Sequence, residues 1–121
     1  MIIKNLLFVG AGGALGSIAR YAVSLLFSHF AIGCEWATML VNVVGSLFIG
    51  LFIPVLSNSA YLFAVVGFCG GFTTFSTFSS QALNLFQAGE RLTAIAYMAV
   101  SFVVSVMMVL LGIYVAQRYF K

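Results

Sequence analysis

The sequence predicts an all-α membrane protein, a single domain over residues 1–121 built from four transmembrane helices of which the third is broken. Three observations carry this expectation. The chain is 64% hydrophobic and 6% charged, with a mean hydropathy of +1.20, and a soluble domain of 121 residues cannot bury so much apolar surface. Apolar runs at 6–27, 37–56, 61–86 and 92–116 are each long enough to cross a hydrocarbon core of about 30 Å as a helix. Inside the third run, residues 67–81 read GFCGGFTTFSTFSSQ and set Gly67, Gly70 and Gly71 beside the hydroxyls of Thr73, Thr74, Ser76, Thr77, Ser79 and Ser80. Lipid offers such groups no water, and irregular backbone at membrane depth is tolerated where protein buries it or where it lines a cavity.

The first run is interrupted by Ser17, Arg20 and Ser24. A cleaved signal peptide starting at Lys4 is the competing reading, but Arg20 lies inside the run and three more long apolar segments follow. Gly10, Gly12, Gly13 and Gly16 resemble a dinucleotide fingerprint only at a glance, because Leu15 occupies the third glycine position and no strand precedes them. Gly12 and Gly16 read better as a GxxxG pair for close helix packing. Residues 29–36 are expected to form an interfacial connection, with Glu35 and Trp36 at the membrane boundary.

In the second run, Asn42, Ser46 and Gly50 recur every fourth residue, so one narrow face carries an amide, a hydroxyl and a close-approach glycine. Inter-helix hydrogen bonding and an ion path are both open readings of that face. Pro54 is expected to end or kink this helix, and residues 57–60 to form the turn into the third span. That span should divide near residues 70–74 into a shorter first half and a second half whose start presents free N–H groups. Phe72, Phe75 and Phe78, three apart, should lie along one side of the second half. Residues 88–91, with Glu90 and Arg91, read as a solvated turn. In the fourth run, Tyr97, Ser101 and Ser105 form a hydroxyl ladder on one face, which Val109 ends.

Composition excludes several function classes. The net charge of +3 comes from five scattered basic residues, so there is no basic patch for nucleic acid. Cys34 and Cys69 read as small packing residues, and His29 has no partner at a metal-ligand spacing and reads as interfacial. One histidine and two carboxylates assemble no nucleophile–base pair, so no enzyme is expected. With both termini on one side of four spans, Lys4, Arg118 and Lys121 stand against Arg91 and Arg20, a bias too small to fix orientation. The expectation is dual-topology insertion and an antiparallel dimer about a two-fold axis in the membrane plane.

The polar inventory favours an anion. The Asn42 amide, the hydroxyls and the Tyr97 phenol are neutral donors, the edges of the Phe75 and Phe78 rings are partly positive, and no acidic residue falls within the four runs. Arg20 has two readings: attraction of an anion at a vestibule, or a structural contact with backbone carbonyls or the interface.

Residues 12–21, GGALGSIARY, residues 41–46, VNVVGS, and residues 67–79, GFCGGFTTFSTFS, together resemble signatures of the Fluc (CrcB) family of small bacterial fluoride channels. The resemblance covers nearly the whole chain, and its third motif is highly specific. It implies a homodimer in the bacterial inner membrane, with a heterodimer as a variant, holding two parallel pores that pass fluoride passively out of the cytoplasm and lower its toxicity. It further implies a pathway along Asn42, Thr74, Phe75, Phe78, Tyr97, Ser101 and Ser105, with Arg20 at the vestibule. A structural Na⁺ on the two-fold axis would be held by the carbonyls of Gly70 and Thr73 from both subunits. Gln81 stands where many members carry glutamate, and Val109 where some carry a hydroxyl. Two other classes compete: a proton-coupled exporter of the small multidrug resistance type, which needs a membrane-embedded carboxylate, and a non-conducting assembly subunit.

Overall fold

The structure, a computed structural model, describes residues 1–120; Lys121, counted above with the charges of one side, lies outside the described residues. The elements are α1 (Ile2–His29), α2 (Cys34–Phe52), α3 (Asn58–Tyr61), a π-helical stretch (Leu62–Cys69), α4 (Gly70–Phe72), α5 (Phe75–Gln87) and α6 (Arg91–Tyr119). Four units are long and apolar enough to cross a membrane, and the third of them, Asn58–Gln87, is composite.

The expected spans are found with shifted ends. α2 starts at Cys34, so Glu35 and Trp36 belong to its first turn and not to a connection. It stops at Phe52, earlier than the apolar run, because Pro54 has no N–H to continue the ladder; Leu56 N–H closes back on Phe52 O at 2.8 Å. The turn into the third span is correspondingly earlier than residues 57–60, with α3 already starting at Asn58, which makes the first half of that span the longer one. Between α5 and α6 the chain reverses at Gly89, whose φ of +85° is a left-handed conformation that suits glycine. Cys69 is fully buried as expected, whereas Cys34 is exposed at the start of α2 and fills no core.

Glycines set which helices meet. α1 lies against the first half of the third span, with Gly12 and Gly16 facing Gly67 and Gly71. A Cβ on Gly12 would strike Phe63 O, and one on Gly16 would strike Phe68 O, so the two backbones approach as only glycine permits. α2 crosses α6 the same way, where a Cβ on Gly112 would come within 2.6 Å of Leu47 O and one on Gly50 would strike Val109 O. Val109 thus ends the hydroxyl ladder at a packing contact. Ala82, Leu85, Ala94 and Tyr97 form a buried cluster joining α5 to α6. In α1 and α6 only 11% of the most apolar window is buried, which leaves most of both helices facing outward as a membrane demands.

The break falls at Thr73 and Thr74, both extended, at φ −86° and ψ 159° and at φ −152° and ψ 120°. Gly70 and Gly71, inside the stretch where the division is expected, remain helical, and Gly71 serves the approach of α1. Phe72 accordingly stays in the first half, buried and stacked on Phe68 at 5.5 Å, so the three-residue phenylalanine stripe is not a single face of the second half. Of the three, Phe75 and Phe78 belong to α5.

Candidate functional site

The break is held open by side chains from neighbouring spans. Asn42 of α2 donates from Nδ2 to Thr74 O at 3.0 Å, while Thr74 N–H donates to Asn42 Oδ1 at 2.7 Å. One amide side chain therefore pairs with both main-chain groups of an extended residue that has no strand to pair with. Thr74 is also the N-cap of α5, its hydroxyl accepting from Thr77 N–H at 3.3 Å. Thr73 Oγ1 donates to Cys69 O at 2.8 Å, tying down the end of α4. Arg20 of α1 donates from Nε to Gly71 O at 2.9 Å, so the structural contact with a backbone carbonyl is the arrangement adopted.

Beside the break is a cavity of about 260 Å³. Asn42, Ser46, Thr73, Thr74, Phe75, Phe78, Ser101 and Ser105 line it, and Ile49, Phe102 and Val106 supply apolar wall. None of its lining residues is charged. The rings of Phe75 and Phe78 lie 5.8 Å apart at 45°, with Phe78 in turn 5.1 Å from Tyr97 at 48°. Phe75 is 79% exposed on the single chain, whereas Phe78 is half-buried.

Most of the expected site residues are thus brought together; Tyr97, Arg20 and Gly70 do not line this cavity. Tyr97 lies beneath Phe78, buried, and donates its hydroxyl to Gln81 Oε1 at 2.8 Å. It faces a second cavity of about 400 Å³ near the start of α2 and α6. Gln81 Nε2 reaches Cys34 O at 3.5 Å, so the neutral amide links α5 to both α6 and α2. The sequence marks Gln81 as a departure from the resembled family; its partners lie 16 and 47 positions away and have no local signal.

Hydroxyls divide into two kinds. Ser46 Oγ donates back to Asn42 O at 2.7 Å and Ser79 Oγ to Phe75 O at 2.9 Å, the four-residue return that membrane helices commonly allow. Ser101 Oγ is buried with no hydrogen-bond partner among the described residues. An orphaned hydroxyl costs about 1–3 kcal/mol unless something meets it.

The family described as "CrcB-like protein, Camphor Resistance (CrcB)" matches residues 7–113. The chain belongs to that family. A Nitrobacter winogradskyi protein named fluoride-specific ion channel FluC is 45% identical, with 93% of this chain and 94% of that protein covered. Proteins of the same name from Methylobacterium radiotolerans and Chlorobaculum tepidum are 41% and 46% identical, over 98% and 82% of this chain and 89% and 83% of theirs. With its four apolar helices, this member of the CrcB family is a multi-pass bacterial membrane protein.

Proposed function

We infer that this chain is a fluoride-selective channel that passively exports fluoride from the cytoplasm. The observation that carries the reading is the uncharged cavity at the break, where the orphaned Ser101 hydroxyl and the adjacent rings of Phe75 and Phe78 meet. A small anion that sheds water needs neutral donors, and Ser101 offers one that no other described residue claims. The relatives' printed name agrees with this chemistry. An exporter coupled to protons through a buried carboxylate is disfavoured: Glu35 stands in the first turn of α2, Glu90 is the N-cap of α6, and neither reaches this cavity.

The pathway we propose runs past Asn42, Thr74, Phe75, Phe78, Ser101 and Ser105, with Tyr97 near its end. Asn42 both borders it and holds its shape. An antiparallel homodimer would complete it, covering the exposed Phe75. Gly70 and Thr73 suit a cation held by carbonyls: among the described residues neither carbonyl receives a backbone hydrogen bond across the break, and nothing lies within 4 Å of where a Gly70 Cβ would stand. Bound Na⁺ would there neutralise converging carbonyl dipoles from two copies. Replacing Na⁺ by N-methylglucamine is expected to weaken the dimer, read by size-exclusion chromatography in detergent; an unmoved dimer would count against a structural Na⁺.

Liposomes holding only the purified chain, with fluoride and chloride electrodes and a potassium ionophore, test the function. Fast fluoride loss without chloride loss is the expected result, and absence of both fluxes from intact dimers would overturn it. Ser101→Ala is expected to slow fluoride efflux by at least about fivefold, roughly 1 kcal/mol of lost contact with the passing ion.

A further inference from the structure

Arg20 is the one basic side chain that crosses from α1 to the break, and its bond to Gly71 O spans 51 positions. The place of that acceptor matters. Gly71 belongs to the last turn of helix before the break, where the final carbonyls have no donor four residues on. For Gly71 that donor would be Phe75 N–H, which lies beyond the extended Thr73 and Thr74. A guanidinium at this end of a helix fills an orphan acceptor and meets the negative pole of the helix dipole. The same pole explains how a charge is accommodated at this depth.

The approach is built into the sequence of both partners. A Cβ on Gly71 would come within 3.0 Å of Ser17 Oγ and 3.1 Å of Ser17 N, one turn before Arg20, so only glycine lets α1 come close enough for the bond. Thr73 and Asn42 hold the residues that follow, from within the span and from α2. Arg20 supplies the hold from α1, and it does not line the pathway cavity.

We propose that Arg20 is a positioning residue, a C-terminal cap on the first half of the third span that fixes the geometry of the break. Resting on the channel reading, it acts on fluoride passage through that geometry and not by drawing the anion to the mouth of the pore. The two modes differ kinetically. A cap sets the maximal flux at every fluoride concentration, whereas an attracting charge sets the concentration at which flux half-saturates and loses its effect in high salt.

The test uses Arg20→Met, which removes the donor, and Arg20→Lys, which keeps the charge but lacks the planar fork and places its nitrogen one atom farther out. Amide hydrogen exchange is measured on the purified protein, and fluoride efflux against fluoride concentration in liposomes. Both variants are expected to exchange the Thr73 and Thr74 amides at least about tenfold faster, with α2 and α6 still protected. Maximal flux should fall at least about fivefold at unchanged half-saturation. Unchanged exchange at Thr73 and Thr74 in either variant overturns the cap, as does a raised half-saturation with maximal flux preserved in Arg20→Met and parent behaviour in Arg20→Lys. Arg20→Lys decides alone if Arg20→Met loses the protection of α2 and α6. Exchange reads the cap even in a chain that passes no fluoride, so failure here and failure of the channel reading are separable.

Discussion

Asn42→Ala should all but stop fluoride conduction while leaving the assembled protein intact. The substitution removes both bonds to Thr74 and takes away the side chain that pairs its part-buried N–H and C=O. Stranding a polar group costs about 1–2 kcal/mol where it is only part-buried, so with two such groups the extended conformation loses roughly 2–4 kcal/mol of support, equivalent to roughly 30-fold to 1,000-fold in its population. The break would then close toward continuous helix or shift its carbonyls, and the cavity beside it would lose its shape. Phe78→Ile acts on the same cavity differently, removing the ring packed between Phe75 and Tyr97 while keeping a bulky apolar side chain. It should depress fluoride flux with the break in place. Parent-like efflux from both variants would sink the proposed pathway.

The second large effect is on folding. Gly12→Ala together with Gly16→Ala is expected to yield little monodisperse protein, because each added methyl meets the backbone of the third span and neither Phe63 O nor Phe68 O can swing aside. Overpacking of this kind costs about 1–3 kcal/mol per site, sometimes more, and the pair removes a large share of the ~5–15 kcal/mol that holds a domain folded. Helix propensity pulls the other way, favouring alanine by about 1 kcal/mol at each position. Gly10→Ala separates the two terms: nothing lies within 4 Å of its Cβ, so it should leave the melting temperature unchanged or raise it slightly. A double variant as stable as the parent would mean that α1 can pack on the third span without backbone contact.

Length and hydropathy reveal the spans in the sequence, since both act within a single segment and a membrane enforces them strictly. The break is legible in place but not in cause. Gly70 and Gly71 look like helix breakers because their propensity is poor, yet both stay helical, Gly71 packed against α1, and the chain departs from helix at Thr73 and Thr74, the second of them held by an asparagine 32 positions away. The π-helical stretch Leu62–Cys69 has no marker in its composition, which would suit an α-helix equally well. Among site residues, the hydroxyl ladder of α6 shows plainly as a four-residue period. What the period cannot tell is which hydroxyls are already bonded: Ser46 and Ser101 look alike in sequence, yet one is bonded to Asn42 O and the other has no partner among the described residues. Gln81 is similar, its importance resting on Tyr97 and Cys34 arriving beside it from other helices.

The pairing of Asn42 with Thr74 also bears on how such a chain can drift over generations. The lock engages peptide groups alone, so it is blind to whatever side chain stands at 74, where an uncharged helix-capping residue, serine or asparagine, could replace threonine. Position 42 has no such latitude. Aspartate lacks the donor, glutamine is a methylene too long, and leucine has neither group. Mutational freedom is therefore lopsided across a single contact, with one partner open to substitution and the other all but frozen.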